Sequence, residues 1–362
     1  MFWTDLIPEN TRVSSNAHHI GVYRINSDNT QEKLGNLYLN ELMDNPKGSY
    51  FNFGVLSDVN LDPQGSTTEI NKDAFNTMKN AIDFFKGHNS KFACVCGNMA
   101  LSQYKDYKEL FSIPIFASKG NLDFETSNET WWKKTMPEIN TKNINIKYQD
   151  KVDTCNFYFW FNKCNFIFLS SDSKNGGRYF DKSIDWLHAV LDTHRNERCF
   201  VFIHSPFYNK SGNLFPFFED RFGKDKLLCY NNDFNSYDRL KKLNEYYKNA
   251  IWFSGQTKYR LEDQFFSKTE NVYYQKDEDG TISNVNVHVP GCFGCNDLVG
   301  DDNELIEESK LSQGYLISVY DKNIIIYGVM FRNEDGEIIN KYVPIGTYYI
   351  NTKLVNVDSN LE

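Results

Sequence analysis

From Phe51 onward, short apolar runs alternate with stretches whose apolar residues recur at helical spacing. This alternation limits the folds open to the chain more than any other feature. The runs span 51–57, 92–96, 114–117, 165–170, 198–204 and 250–254. They are too short for helices and nearly continuous in hydrophobicity, so they read as strands buried on both faces. Between them, 71–86 carries Ala74, Phe75, Met78, Ile82 and Phe85 on one helical stripe. Likewise 181–194 carries Ile184, Leu187 and Leu191, and 236–248 carries Leu240, Leu243 and Tyr247. Strands alternating with helices predict an α/β domain with helices outside a buried sheet. The pattern changes at the end, where 315–320, 324–331 and 342–350 read as an antiparallel meander. That ending suits a sandwich of two sheets.

Residues 1–50 read differently, as an N-terminal β extension or attachment element. Two short strands, 19–25 and 33–39, flank the polar turn Ser27-Asp28-Asn29, and Pro46-Lys47-Gly48 punctuates the exit. The expected organisation is therefore 1–50, a main domain over 51–350, and a C-terminal tail over 351–362.

Charge and cysteine content exclude several functional classes. With 39 basic against 48 acidic residues, the chain carries a formal charge of −9 without blocks of either sign. Nucleic-acid binding needs clustered Lys and Arg and is not expected. The carboxylate-rich stretch 297–308 reads as a solvated loop. No basic segment followed by an apolar run marks a signal peptide, and no run has the length of a membrane-spanning helix. The eight cysteines are scattered, and Cys94, Cys96 and Cys199 fall inside strands, which suits buried free thiols in a reducing compartment. Cys292 and Cys295 form one CxxC without the second pair a tetrahedral zinc site requires. The expected location is the cytoplasm or a virion.

Ligand sites in such sheets lie beyond the carboxyl ends of the strands. After the successive apolar runs come Ser57-Asp58-Val59-Asn60, Gly97-Asn98-Met99, Gly120-Asn121-Leu122-Asp123, His204, and Gly255-Gln256-Thr257-Lys258. This ordered set resembles the motif series of the calcineurin-like metallophosphoesterases: D-x-H, G-D, G-N-H-D/E, a lone H, and G-H-x-H. The flanking text FNFGVLSD, FACVCGN, IPIFASKGNLD, CFVFIHSPF and IWFSGQTKYRLED is similar to family blocks with substitutions, and the resemblance covers about 51–350. It implies a four-layer α/β/β/α sandwich. The closing segment QGYLISVYDKNIIIYGVMF, followed by KYVPIGTY, is similar to the end of such domains in phage tail-associated and bacterial members.

In that family two divalent cations, roughly 3.5–4 Å apart, clamp the attacking and leaving oxygens of a phosphate ester. The resemblance implies a first metal at Asp58, Asn60, Asn98 and Lys258. A second would share Asn98 and add Asn121, His204 and Gln256. Only Asp58, Asn121 and His204 remain as candidate ligands. Asn60 and Gln256 stand where the family has histidine, and Lys258 brings a cation that repels metal. Asn98 replaces the bridging carboxylate, and Leu122 replaces the histidine that protonates the leaving group and cannot move a proton. The reading is a pseudoenzyme with a degenerate metal site and no cofactor. A weakened site would take manganese, zinc or iron.

The substitutions also suggest an internal replacement, in which Lys258 pairs with Asp58 within an amide network of Asn60, Asn98, Asn121 and Gln256. Bland alternatives stand beside it: His204 held by neighbouring backbone, Asn121 forming a turn, Asp58 capping a loop. Asp123 survives in a supporting role. The expected role is structural or interactive, with protein partners or self-association, as a virion or tail component. Trp131, Trp132, Phe215, Phe217 and Phe218 are candidates for a binding surface. Two other classes remain open: a residual metal-dependent phosphoesterase using Asp58, His204 or Asp62 as base, and a phosphate-binding module using His204 and Lys258.

Overall fold

The computed structural model describes residues 19–25, 31–38, 51–61, 72–99, 110, 112–125, 144–149, 155–171, 179–205, 234–256, 272–276, 282–293, 295–298, 305–320, 323–333 and 335–349. The chain divides into two units, Met1–Tyr50 and Phe51–Glu362. In the first, β1 (His19–Ile25) and β2 (Gln31–Tyr38) pair antiparallel, with a register irregularity at Val22/Tyr23.

The second unit opens with β3 (Phe51–Leu56), α1 (Lys72–Gly87), β4 (Ser90–Val95), β5 (Ile115–Ala117) and a single 3-10 turn at Leu122–Glu125. It continues through β6 (Ile146–Tyr148), β7 (Phe157–Phe161), β8 (Cys164–Leu169), α2 (Asp181–Thr193), β9 (Arg198–Ile203), α3 (Phe234–Tyr246) and β10 (Ala250–Ser254). The remaining strands are β11 (Val272–Lys276), β12 (Ile282–His288), β13 (Cys295–Leu298), β14 (Leu305–Ser309), β15 (Ser312–Val319), β16 (Asn323–Arg332) and β17 (Ile338–Tyr349). Two mixed sheets result, a six-stranded one ordered β17-β16-β15-β3-β4-β5 and a seven-stranded one ordered β11-β12-β10-β9-β8-β7-β6. In the first, β3, β4 and β5 run parallel, and the expected antiparallel meander β15–β17 joins through β15 against β3. In the second, β8, β9, β10 and β12 run parallel.

The strand sequences sort themselves by side-chain size. In β3, β4, β8 and β9 the residues facing between the sheets are Phe51, Phe53, Phe92, Phe166, Phe168, Phe200 and Phe202, joined by Val55 and Cys94. Their neighbours one position along face outward and are mostly smaller: Ala93 and Val95 lie against α1, and Ile167, Leu169, Val201 and Ile203 lie against α2 and α3. This is the period-2 alternation of a strand read on two buried faces. Helix, sheet, sheet and helices thus pack in that order around three cores. The edge-to-face stacking is dense: the Phe166 ring lies 4.9 Å from Phe92 and 5.1 Å from Phe53. Gly54 serves the outer face, because a Cβ there would come 2.3 Å from the Phe85 ring of α1.

Strands β6, β7, β11, β12, β13 and β14 are not picked out by the apolar-run reading. The stretch 297–308, expected to be a solvated loop, instead contributes to the antiparallel β13–β14 pair, with Asp297 opposite Ile306 and Leu298 opposite Leu305. β12 (ISNVNVH) alternates apolar and polar residues, and β6 is only three residues long. No helix among the described residues is long and apolar enough to cross a membrane. Of the candidate residues, Asp62, Trp131, Trp132, Phe215, Phe217, Phe218 and Lys258 lie outside the described residues, as do the 351–362 tail and the 27–29 turn.

Candidate functional site

Parallel strands β3, β4 and β5 of one sheet and β9 and β10 of the other end at a common rim, and each delivers one or two motif residues there. The backbone sets their positions first. Beyond β3 and β4 the chains stay paired: Asp58 N–H donates to Gly97 O at 2.7 Å, Val59 N–H to Asn98 O at 2.9 Å, and Leu61 N–H to Met99 O at 3.0 Å. Asp58 and Asn60 both adopt φ +51°, and Gln256 φ +68°. Asp and Asn tolerate this left-handed region better than most residues, so the sharp turns at the strand ends suit them. Gly97, at φ +62°, has no room for a side chain, since a Cβ would sit 2.7 Å from Gly120 N.

The side chains then close into one network. Asp58 is 1 % exposed. Its Oδ2 accepts the Ser57 hydroxyl at 2.7 Å and the Gln256 backbone N–H at 2.8 Å, and its Oδ1 accepts Asn98 Nδ2 at 3.3 Å. Asn98 Nδ2 also donates to Asn121 Oδ1 at 3.1 Å, while Asn98 Oδ1 accepts Leu122 N–H at 2.9 Å. The two faces of the Asn98 amide are therefore distinguished chemically. A backbone N–H can only donate and a carboxylate can only accept, so Oδ1 must face Leu122 and Nδ2 must face Asp58.

His204 is fully buried and reaches across from the opposite sheet. Its Nδ1–H donates to Cys96 O at 2.7 Å, and Nε2 meets Asn121 Oδ1 at 2.9 Å. Ser205 Oγ donates to Gln256 Oε1 at 3.0 Å, and Asp123 Oδ2 accepts Gly120 N–H at 2.8 Å, which closes the loop that presents Asn121. Asn60 Oδ1 is buried with no hydrogen-bond partner among the described residues. Burial, then the charge of Asp58, push the Cys96 thiol well above its ordinary value.

Asp58, Asn60, Asn98, Asn121, Leu122, His204 and Gln256 are thus brought to one rim. Ser57, Ser205, the Gln256 backbone N–H and Cys96 O complete the network without having been singled out in the sequence. Serines beside motif residues are too common to carry a signal, and backbone groups carry none.

This donor set does not fit a two-cation centre. The bridging position would need an anionic oxygen between the two metals. Asn98 instead turns N–H groups toward Asp58 and Asn121, and Leu122 N–H prevents the amide from reversing. Three donors already occupy the oxygens of Asp58, and the other buried carboxylate nearby, Asp123, is turned to the Gly120 N–H. No group of three or more His, Cys, Asp and Glu residues suited to hold a metal ion occurs among the described residues. Cys292 is buried, and burial pushes its thiol up to about 12.

No family model and no curated protein matches the sequence. Among solved structures, the chain is similar to a dimetal phosphatase from Danio rerio at 10 % identity and a TM-score of 0.46, covering 77 % of this chain and 95 % of that one. It is also similar to GAP50, the anchor in the inner membrane complex of Plasmodium, at 15 % identity and a TM-score of 0.45, covering 85 % and 90 %. A purple acid phosphatase from yellow lupin (Lupinus luteus) seeds aligns at 13 % identity and a TM-score of 0.49, covering 88 % and 57 %.

Proposed function

We propose that the chain has the four-layer sandwich of the metallophosphoesterase type with its catalytic centre retired, and that it serves a structural or interaction role. One observation carries this reading: the residue in the bridging position, Asn98, presents amide hydrogens to the centre where two-metal hydrolysis needs a shared anionic oxygen. The loss at Leu122 reinforces it, since no side chain there can protonate a leaving group. The partner class suggested by the sequence is a virion or tail assembly, or further copies of this chain. Lys258 would then complete the polar centre by pairing with Asp58, and the unpartnered Asn60 Oδ1 marks where a further donor is wanted.

The test is an assay of the purified full chain against phosphomonoester and phosphodiester substrates, with manganese, zinc and iron each supplied in excess. Turnover at the level of the uncatalysed reaction is expected. Metal-dependent turnover that disappears in Asp58→Ala or His204→Ala would overturn the proposal and restore the hydrolase reading.

A further inference from the structure

We infer that the retired centre is a cation-independent hydrogen-bond lock that joins the rims of the two sheets, with Asn98 as its hub. This rests on the reading of an inactive centre and assigns that same centre a different task. The core between the sheets is aromatic and aliphatic, and such packing is non-directional; at the other end of β9, Arg198 Nη1 donates to Tyr320 O just past β15. At the carboxyl-end rim, by contrast, each strand of the parallel set in the seven-stranded sheet sends a polar contact across. Beyond β8, Ser171 N–H donates to Lys119 O at 3.0 Å and Ser170 Oγ accepts Lys119 N–H at 2.9 Å, the latter just past β5. From the end of β9, His204 engages Cys96 O and Asn121 Oδ1. After β10, Gln256 N–H donates to Asp58 Oδ2. Past β12, Cys292 N–H donates to Ser57 O at 2.7 Å.

These contacts form a continuous row, and its middle is connected through side chains. Asn98 ties Asp58 to Asn121 and Asn121 receives His204, so a bond lost at one point strips partners from buried groups on the other sheet. Asp58, Asn98 and His204 are buried too deeply to turn to water instead, while Asn121 and Gln256 are half-buried. The glycines permit the closeness: a Cβ on Gly120 would lie 2.2 Å from Asn98 Oδ1 and 2.9 Å from the His204 ring, and one on Gly255 would lie 1.9 Å from Ser57 Oγ. The hydrogen-bond donors around Asp58 occupy both of its oxygens, so no metal cation is needed to hold the rim shut.

The test uses the full chain in chelator. In the wild-type protein, hydrogen exchange of the segments 57–61, 96–99 and 255–256 is expected to be as slow as that of 200–203. Exchange about 100-fold faster at the rim would show local opening and overturn the lock. In a double-mutant cycle, Asn98→Ala and His204→Ala should each raise the unfolding constant. Combined, they should raise it about tenfold less than the product of the single effects. Multiplicative effects would overturn the proposal, as would a rise in melting temperature on adding manganese or zinc to the wild type. If either variant fails to fold, the wild-type exchange pattern decides alone. Turnover of a phosphodiester counts against the inactive reading, whereas unprotected, uncoupled rim residues without turnover count against the lock only.

Discussion

At the scale of single residues, the motif positions were legible because each ends an apolar run or follows one within a few places, where a strand end must present its next side chains. Their chemistry was legible only as residue type. That Asn98 points Nδ2 rather than Oδ1 into the centre depends on Leu122 N–H, a backbone group supplied from 24 positions away. The same closeness makes a sharp prediction at Gly120, whose φ is ordinary but whose Cβ space is already taken by Asn98 Oδ1 and His204. Gly120→Ala should lower stability by about 1–3 kcal/mol, the usual cost of overfilling a packed site. Urea unfolding measures this directly, and an unchanged midpoint would show that the rim can yield.

At the scale of elements, the helices and the parallel strands other than β12 were legible from period and apolar runs, and their ends matched to within a few residues. β10 coincides with its apolar run at 250–254. The strands that were missed are those whose burial comes from neighbours rather than from their own composition. β6 is three residues paired only to β7, and β11 joins the sheet only through β12. Two contacts between elements also separate effects that look alike on paper. Arg239 of α3 bridges Asp181 and Asp185 of α2, with its side chain 36 % exposed. An exposed pair of this kind contributes within about 1 kcal/mol. Phe166 is buried against rings from β3, β4, β7 and β9, and removing it leaves a cavity. Phe166→Ala should therefore cost about 3–5 kcal/mol and Arg239→Ala no more than about 1 kcal/mol. Denaturant midpoints of both variants check the ranking, and an Arg239→Ala loss equal to that of Phe166→Ala would refute it.

At the scale of the whole molecule, the scattered cysteines become a single property. Cys94, Cys96, Cys155, Cys164, Cys199 and Cys292 are all free and buried. Burial pushes the Cys164 and Cys292 thiols up to about 12 from the ordinary value of 9.0, and raises Cys94, Cys96 and Cys199 above that ordinary value too. A thiol whose proton is held more tightly in the folded state adds stability that is intact below pH 9. That contribution is lost as pH rises from 9 toward 12, because the unfolded chain ionises first. Each buried thiol should then weaken the fold by about 1.4 kcal/mol per pH unit in that window. Urea unfolding at pH 8 and pH 10 tests the sign, with Cys164→Val expected to flatten the slope.

What the sequence by itself determined is the succession of strands and helices, the two-faced burial of the strands, and the identity of the residues at each strand end. Those follow from local period and from the short reach between a strand and the residue after it. What only the tertiary structure decided is how the two sheets meet. The pairing of His204 with Asn121, of Gln256 N–H with Asp58, and the orientation of the Asn98 amide all join residues 23 to 198 positions apart. A hydrogen bond is directional and short-ranged, so which of these groups donates to which is settled only when the rims are brought within about 3 Å of each other.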